Sequence, residues 1–153
     1  MKSFVALASW LVLTFSAALT GFFIQPGGYY AALAKPVWAP PAWVFGPVWT
    51  ILYAMMAVAA WRVWRRGGWR GQRGPLALYV IQLALNALWT PLFFGLRWPG
   101  GALVEIVLLW LTIVLTGRAF FRVDRLAGGL FVPYLFWVGF AAALNFSIWL
   151  RNG

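Results

Sequence analysis

The chain has 153 residues, 64% of them hydrophobic and 9% charged, too few polar side chains to cover a water-soluble globule, so lipid must be the solvent for its surface. Its formal net charge of +10 would suit a nucleic-acid partner, but the Lys and Arg residues sit at the ends of apolar stretches and not along a solvent-facing surface, as the positive-inside bias of membrane proteins predicts, with a secondary attraction to anionic headgroups. Cys and His are absent, which removes disulfides, thiol chemistry, structural zinc and imidazole ligation of a redox haem, so neither a metal nor a cofactor is expected.

A membrane span needs about 20 apolar residues, so a chain of this length holds at most five or six in one bundle. The run 4–24, after Lys2, is the first. Ser16, Ala17 and Ala18 resemble a signal-peptide cleavage region, but the run is long for a signal core and continues through Leu19, Phe22 and Phe23, so it reads as a helix. The segment 25–42 breaks the pattern with Pro26, Gly27, Gly28, Pro36, Pro40 and Pro41, which remove backbone donors and forbid a continuous helix. Its length and its Tyr29, Tyr30 and Trp38 suggest a lid lying at the membrane interface over the bundle.

The second span is 43–64, followed by the solvated loop RRGGWRGQRG; the third is 75–96, the fourth 102–121 and the fifth 126–150. The expected fold is an all-α membrane protein, a five-transmembrane-helix bundle forming one domain over 1–153. With the N-terminus on one side, that side collects Lys2, Arg62, Arg65, Arg66, Arg70, Arg73, Arg118, Arg122 and Arg125, and the other holds Lys35, Arg97 and Arg151. This asymmetry places the N-terminus in the cytoplasm and the lid and C-terminus outside, for a chain in a bacterial inner membrane. An odd span count without an internal repeat argues against an alternating-access transporter built from inverted halves.

The only carboxylates are Glu105 and Asp124. Glu105 falls in the first turn of the fourth span, where the helix dipole favours it and it can reach the interface; Asp124 reads as a loop residue between Arg122 and Arg125. A proton-coupled pump therefore has little support. The aromatic inventory is richer, with 12 Trp. Trp10, Trp61, Trp64, Trp69, Trp98, Trp110 and Trp149 lie mostly near span ends and read as interface anchors.

Helical spacing gathers three further stripes: Trp49 and Tyr53; Asn86, Trp89, Thr90 and Phe93; and Trp137, Ala141, Leu144 and Asn145. Such faces suit a pocket for a flat apolar ligand, and they equally suit a core whose two Asn residues bond between helices; spacing leaves both readings open. The small-residue pairs Ala17 with Gly21 and Gly139 with Ala143 serve close helix packing or a homodimer.

Three blocks carry a resemblance. YYAALAKPVWAPPAWVFGPVWTILY from Tyr29 to Tyr53, LNALWTPLFFG from Leu85 to Gly95 and VPYLFWVGFAAALNF from Val132 to Phe146 resemble, in order and spacing, the signatures of the TspO/MBR family across nearly the whole chain. The resemblance implies binding of porphyrins such as protoporphyrin IX, of sterols and of benzodiazepine-type ligands, in a pocket capped by the first loop. Carried over by matching motif, it implies that Tyr30, Pro41, Trp49, Tyr53, Asn86, Trp89, Thr90, Trp137, Ala141 and Leu144 line that pocket. It also leaves an outer-membrane location open.

The family's sterol pattern on the last helix is altered here to LNFSIWLR, with Phe146 in place of a Tyr and Arg151 after an extra Leu150; the groove it implies is Leu144, Phe146 and Arg151. Three functions follow as expectations: a receptor or sensor; an enzyme breaking down protoporphyrin in light through Trp49 and Trp137; and a translocator passing its ligand without coupling charges. Conventional hydrolysis has no equipment in this sequence.

Overall fold

Helices form wherever an apolar run is uninterrupted, and Pro or Gly marks most of their ends. The computed structural model describes residues 3–20 and 27–152, and all of its regular structure among those residues is helical. Helix α1 is Ser3–Ser16, 14 residues or about 21 Å. The expected first span is therefore met as continuous helix only to Ser16. Ala17 and Ala18 form a turn, donating their N–H groups to Thr14 and Phe15, while the Ser16 hydroxyl donates to the Leu13 carbonyl. Such local side-chain bonding competes with the helical ladder. Residues 21–24 of that span lie outside the described residues, as do Gln25 and Pro26 of the lid and Gly21 of one small-residue pair.

The lid holds a short helix, Gly27–Ala32, and passes through a 3₁₀ turn, Ala42–Val44, into α2, Phe45–Trp64. The arginine-rich connection turns at Gly67 and Gly68, whose φ of 134° and 66° suit glycine. Helix α3, Arg73–Thr90, runs on as a wider π turn, Pro91–Gly95, where Pro91 has no N–H to give the ladder. Helices α4, Pro99–Val123, and α5, Arg125–Asn152, complete the chain. Four helical stretches, 42–64, 73–95, 99–123 and 125–152, are long and apolar enough to cross a membrane. Their ends fall within three residues of those expected from sequence.

The most extensive packing is α4 on α5, then α3 on α4, α1 on α2 and α2 on α5. Tyr79 of α3 closes the ring by hydrogen bonding to Thr14 and packing edge-on to Trp10, both of α1. Two glycines set the close approaches. A Cβ on Gly128 would lie 2.5 Å from the Phe121 Cβ, so only glycine lets α5 start against α4. A Cβ on Gly139 would meet the Trp110 indole nitrogen at 3.2 Å, and this member of the second small-residue pair thus serves packing within the chain.

Asp124 is buried and not a free loop residue. Its Oδ1 accepts from the backbone N–H groups of Leu126 (3.0 Å) and Ala127 (3.1 Å), capping α5, and its Oδ2 pairs with Arg62 of α2 at 3.1 Å and Arg66 at 3.5 Å. Burial by itself would raise its pKa; hydrogen bonds from Arg62, Ala127 and Leu126 and the Arg62 charge hold it below the usual carboxylate value.

Candidate functional site

Helices α2, α3 and α5 bring the sequence stripes together in one layer next to the lid. The Trp49 ring stacks on Tyr53 (centroids 5.6 Å apart), meets Trp137 edge to face at 6.4 Å and meets Tyr134 at 6.2 Å. Trp137 continues to Phe45 at 6.1 Å, and Phe45 to Tyr30 of the lid at 5.4 Å. On the other flank, Tyr30 packs on Phe94, which packs on Trp89, itself stacked on Phe93 at 5.0 Å. Tyr30 thus touches both aromatic flanks, and offset and edge-to-face contacts of this kind favour a defined geometry over a loose apolar fill.

Beneath the rings runs a chain of polar groups. The Tyr53 hydroxyl donates to Asn86 Oδ1 (2.7 Å), Asn86 Nδ2 donates to the Tyr134 hydroxyl (2.8 Å), and that hydroxyl donates to Gln82 Oε1 (2.7 Å). Trp89 Nε1 donates to Asn145 Oδ1 (3.0 Å), and Asn145 Nδ2 donates to the Pro99 carbonyl (2.8 Å). Both Asn residues therefore bond between helices. Asn86 keeps one N–H and one acceptor lone pair beyond its two bonds.

One donor in the layer is unmatched. The Trp137 Nε1 is buried and has no hydrogen-bond partner among the described residues. A buried N–H without an acceptor costs about 1–3 kcal/mol, which makes it a place where a ligand acceptor would be gained.

The lid is tied at several points. The Tyr30 hydroxyl donates to the Pro40 carbonyl (2.7 Å), and burial raises the Tyr30 pKa, which keeps that donor protonated. Lys35 Nζ donates to the carbonyls of Tyr30, Leu33 and Ala31, a cation at the end of the lid helix, and lies 4.9 Å from the Tyr30 ring centre. Arg97 covers Tyr29 at 5.2 Å, and the Tyr29 pKa is raised by burial against the opposing Arg97 charge. Asn152, near the end of α5, bonds both backbone groups of Ala34.

The remaining expected positions divide. Ala141 and Leu144 are buried in the same core as Trp89 and Tyr53, and Thr90 is half-buried at the end of α3. Pro41 is exposed, its carbonyl accepting from the Val44 N–H (3.1 Å) where the lid enters α2. Leu144, Phe146 and Arg151 are not brought together as a groove. Leu144 points inward, whereas Phe146 is exposed beside Trp149 and Arg151 is exposed with Nε on Ser147 Oγ. At about 100° per residue, Phe146 lies roughly 200° around the helix from Leu144.

Tyr134, Gln82 and Phe45 belong to the site and escaped the sequence stripes. Tyr134 precedes Trp137 by three positions and Gln82 precedes Asn86 by four, the same helical spacing that found their neighbours. Glu105 also differs from expectation: it is 5% exposed, and neither carboxyl oxygen has a partner among the described residues. Helix α4 begins at Pro99, which puts Glu105 on the inward stripe with Ala102, Ile106 and Leu109. No group of three metal-binding side chains is found among the described residues. What the layer offers is ring stacking, the unpartnered N–H of Trp137 and the remaining donor and acceptor of Asn86.

The family model described as TspO/MBR family matches residues 4–150. The chain is 48% identical to the tryptophan-rich sensory protein of Cereibacter sphaeroides, over 93% of this chain and 91% of that protein. It is 47% identical to the tryptophan-rich protein TspO of Chlorobaculum tepidum, over 97% and 95%. It is 44% identical to the translocator protein of Homo sapiens, over 81% and 75%.

Proposed function

The chain belongs to the TspO/MBR family, and from that membership we propose that this integral membrane protein is a receptor or sensor capturing a porphyrin of the protoporphyrin IX type in the aromatic layer next to its lid. The observation that carries the reading is the unpartnered N–H of Trp137, set among the rings of Trp49, Phe45 and Phe140. A tetrapyrrole is flat, apolar across its face and edged with carboxylates, so it supplies both the stacking surface and an acceptor for that donor. Asn86 retains one donor and one acceptor with which to orient the ring. The lid closes over it through Tyr30, and the excess of Arg in the loops on one side supports an orientation with the N-terminus in the cytoplasm and the lid and C-terminus outside.

The test is a protoporphyrin IX titration of the detergent-purified protein, followed by Trp fluorescence quenching, with Trp49→Phe, Trp137→Phe and Asn86→Ala alongside. Saturable binding weakened by each change is expected, about tenfold for Trp137→Phe, which keeps a ring and removes one hydrogen bond. Binding equal to that of empty micelles, or unmoved by all three variants, would make the layer core packing alone. Repeating the titration in light and in darkness separates capture from breakdown: bleaching that needs light, Trp49 and Trp137 together would assign the enzymatic reading instead.

A further inference from the structure

At the end of the bundle away from the lid, the second half of α4 and the first half of α5 enclose a cavity of about 310 Å³. That size is at the lower end of small-ligand sites, about 300–1,000 Å³. Ile113, Gly117, Phe131 and Leu135 form its apolar wall, and Arg118 and Arg122 stand on its rim. Gly117 leaves one stretch of the wall without a side chain. A Cβ there would be in van der Waals contact with the Phe131 Cβ at 3.5 Å, so a side chain as long as Leu would occupy part of the cavity. Phe121 and Val132, also lining it, are 54% and 46% exposed, so the cavity opens on the outer face of the bundle, where lipid lies.

The rim is electrostatically incomplete. Arg118 and Arg122 are exposed and spaced i, i+4, neighbours on one helix face whose like charges repel. Among the described residues the nearby carboxylate, Asp124, pairs with Arg62 and Arg66 and with neither of them. An apolar channel rimmed by two unpaired guanidinium groups matches a molecule with a long hydrocarbon tail and an anionic phosphate head. We infer that the α4–α5 groove is a binding site for an acidic phospholipid, with one acyl chain along Gly117 and the headgroup phosphate between Arg118 and Arg122. This site is separate from the aromatic layer and does not depend on what that layer binds.

The full-length protein, reconstituted with phosphatidylglycerol or phosphatidylcholine of matched chains and released into neutral detergent, is read by native mass spectrometry for retained lipid. Retention of phosphatidylglycerol over phosphatidylcholine is expected. Arg118→Gln with Arg122→Gln weakens it roughly thirty-fold, taking about 1 kcal/mol per arginine. Arg70→Gln with Arg73→Gln removes the same charge from the same end and leaves retention within about twofold. Gly117→Leu, which occupies part of the groove, also releases the lipid, and lipid-free thermal melts of each variant establish that the bundle is intact. Equal loss from the Arg70/Arg73 pair, equal retention of phosphatidylcholine, or phosphatidylglycerol held undiminished by the Arg118/Arg122 or Gly117 variants would overturn the site.

Discussion

Asn152, the last residue of α5, holds the lid by both backbone groups of Ala34: its Oδ1 accepts the Ala34 N–H at 3.1 Å and its Nδ2 donates to the Ala34 carbonyl at 2.9 Å. A third bond, from Nδ2 to the Ile148 carbonyl at 2.8 Å, fixes the amide on α5. The pair spans 118 positions of sequence and is the side-chain amide counterpart of a strand pairing. It puts the lid and the C-terminus at one end of the bundle.

Asn152→Ala should therefore loosen the lid and leave the bundle alone. Two solvent-accessible hydrogen bonds are lost, together about 1 kcal/mol, or a roughly five-fold rise in local opening. Hydrogen exchange over residues 28–38 should accelerate by that factor while α3 and α4 stay unchanged. Unchanged exchange in the lid would mean that Tyr30 and Lys35 hold it unaided.

The Tyr53–Asn86–Tyr134–Gln82 chain should behave as a unit. Asn86→Ala strands the Tyr53 hydroxyl as a buried donor, takes the donor from the Tyr134 hydroxyl and costs about 2–3 kcal/mol, whereas Tyr53→Phe breaks one bond, leaving only the Asn86 Oδ1 without its donor, and costs about 1 kcal/mol. Once Tyr53 is Phe, the further loss of Asn86 should be milder, so the two melting-temperature shifts fall short of additive in the double variant. Strict additivity in thermal melts would show that the bond contributes nothing.

Much of this layer was legible in the sequence because helix geometry is periodic: Trp49 with Tyr53, and Asn86 with Trp89, share faces at spacings of three and four. The four long helices were legible because Pro, Gly and Arg interrupt the apolar runs between them. The end of α1 was not, since Ala17, Ala18 and Leu19 keep hydropathy high through a backbone turn that hydropathy does not sense. Glu105 was misplaced by a three-residue error in the start of α4, from Ala102 to Pro99, enough to move it from the first turn to the second and from the interface to the interior. Asp124 read as a loop residue because its partners Arg62 and Arg66 lie some sixty positions away, beyond any local pattern.

Adjacent glycines on α5 should respond in opposite directions. Gly128→Ala forces a Cβ to 2.5–2.8 Å from Phe121 Cβ and its backbone Cα and N, atoms that cannot give way without separating α4 from α5, and should cost at least about 2 kcal/mol. A Cβ on Gly129 meets nothing within 4 Å, so Gly129→Ala should stabilise by about 0.5–1 kcal/mol through helix propensity alone. Melting temperatures that fall equally for both would place the helix contact elsewhere.

Because Arg62 and two backbone N–H groups hold the Asp124 carboxyl below its ordinary value of 3.8, folding binds fewer protons there than the unfolded chain does. Its stabilisation is complete above that ordinary value and is lost as pH falls through the lower, folded-state value. Asp124→Asn retains a capping side chain and removes the charge, leaving Arg62 without its partner, so the variant should melt lower than the parent at neutral pH. The gap between the two melting curves should stay constant down to about pH 5 and close progressively below it, since the protonated parent then resembles the variant. A gap independent of pH would mean that the Asn side chain caps the helix poorly and that the ion pair with Arg62 adds nothing.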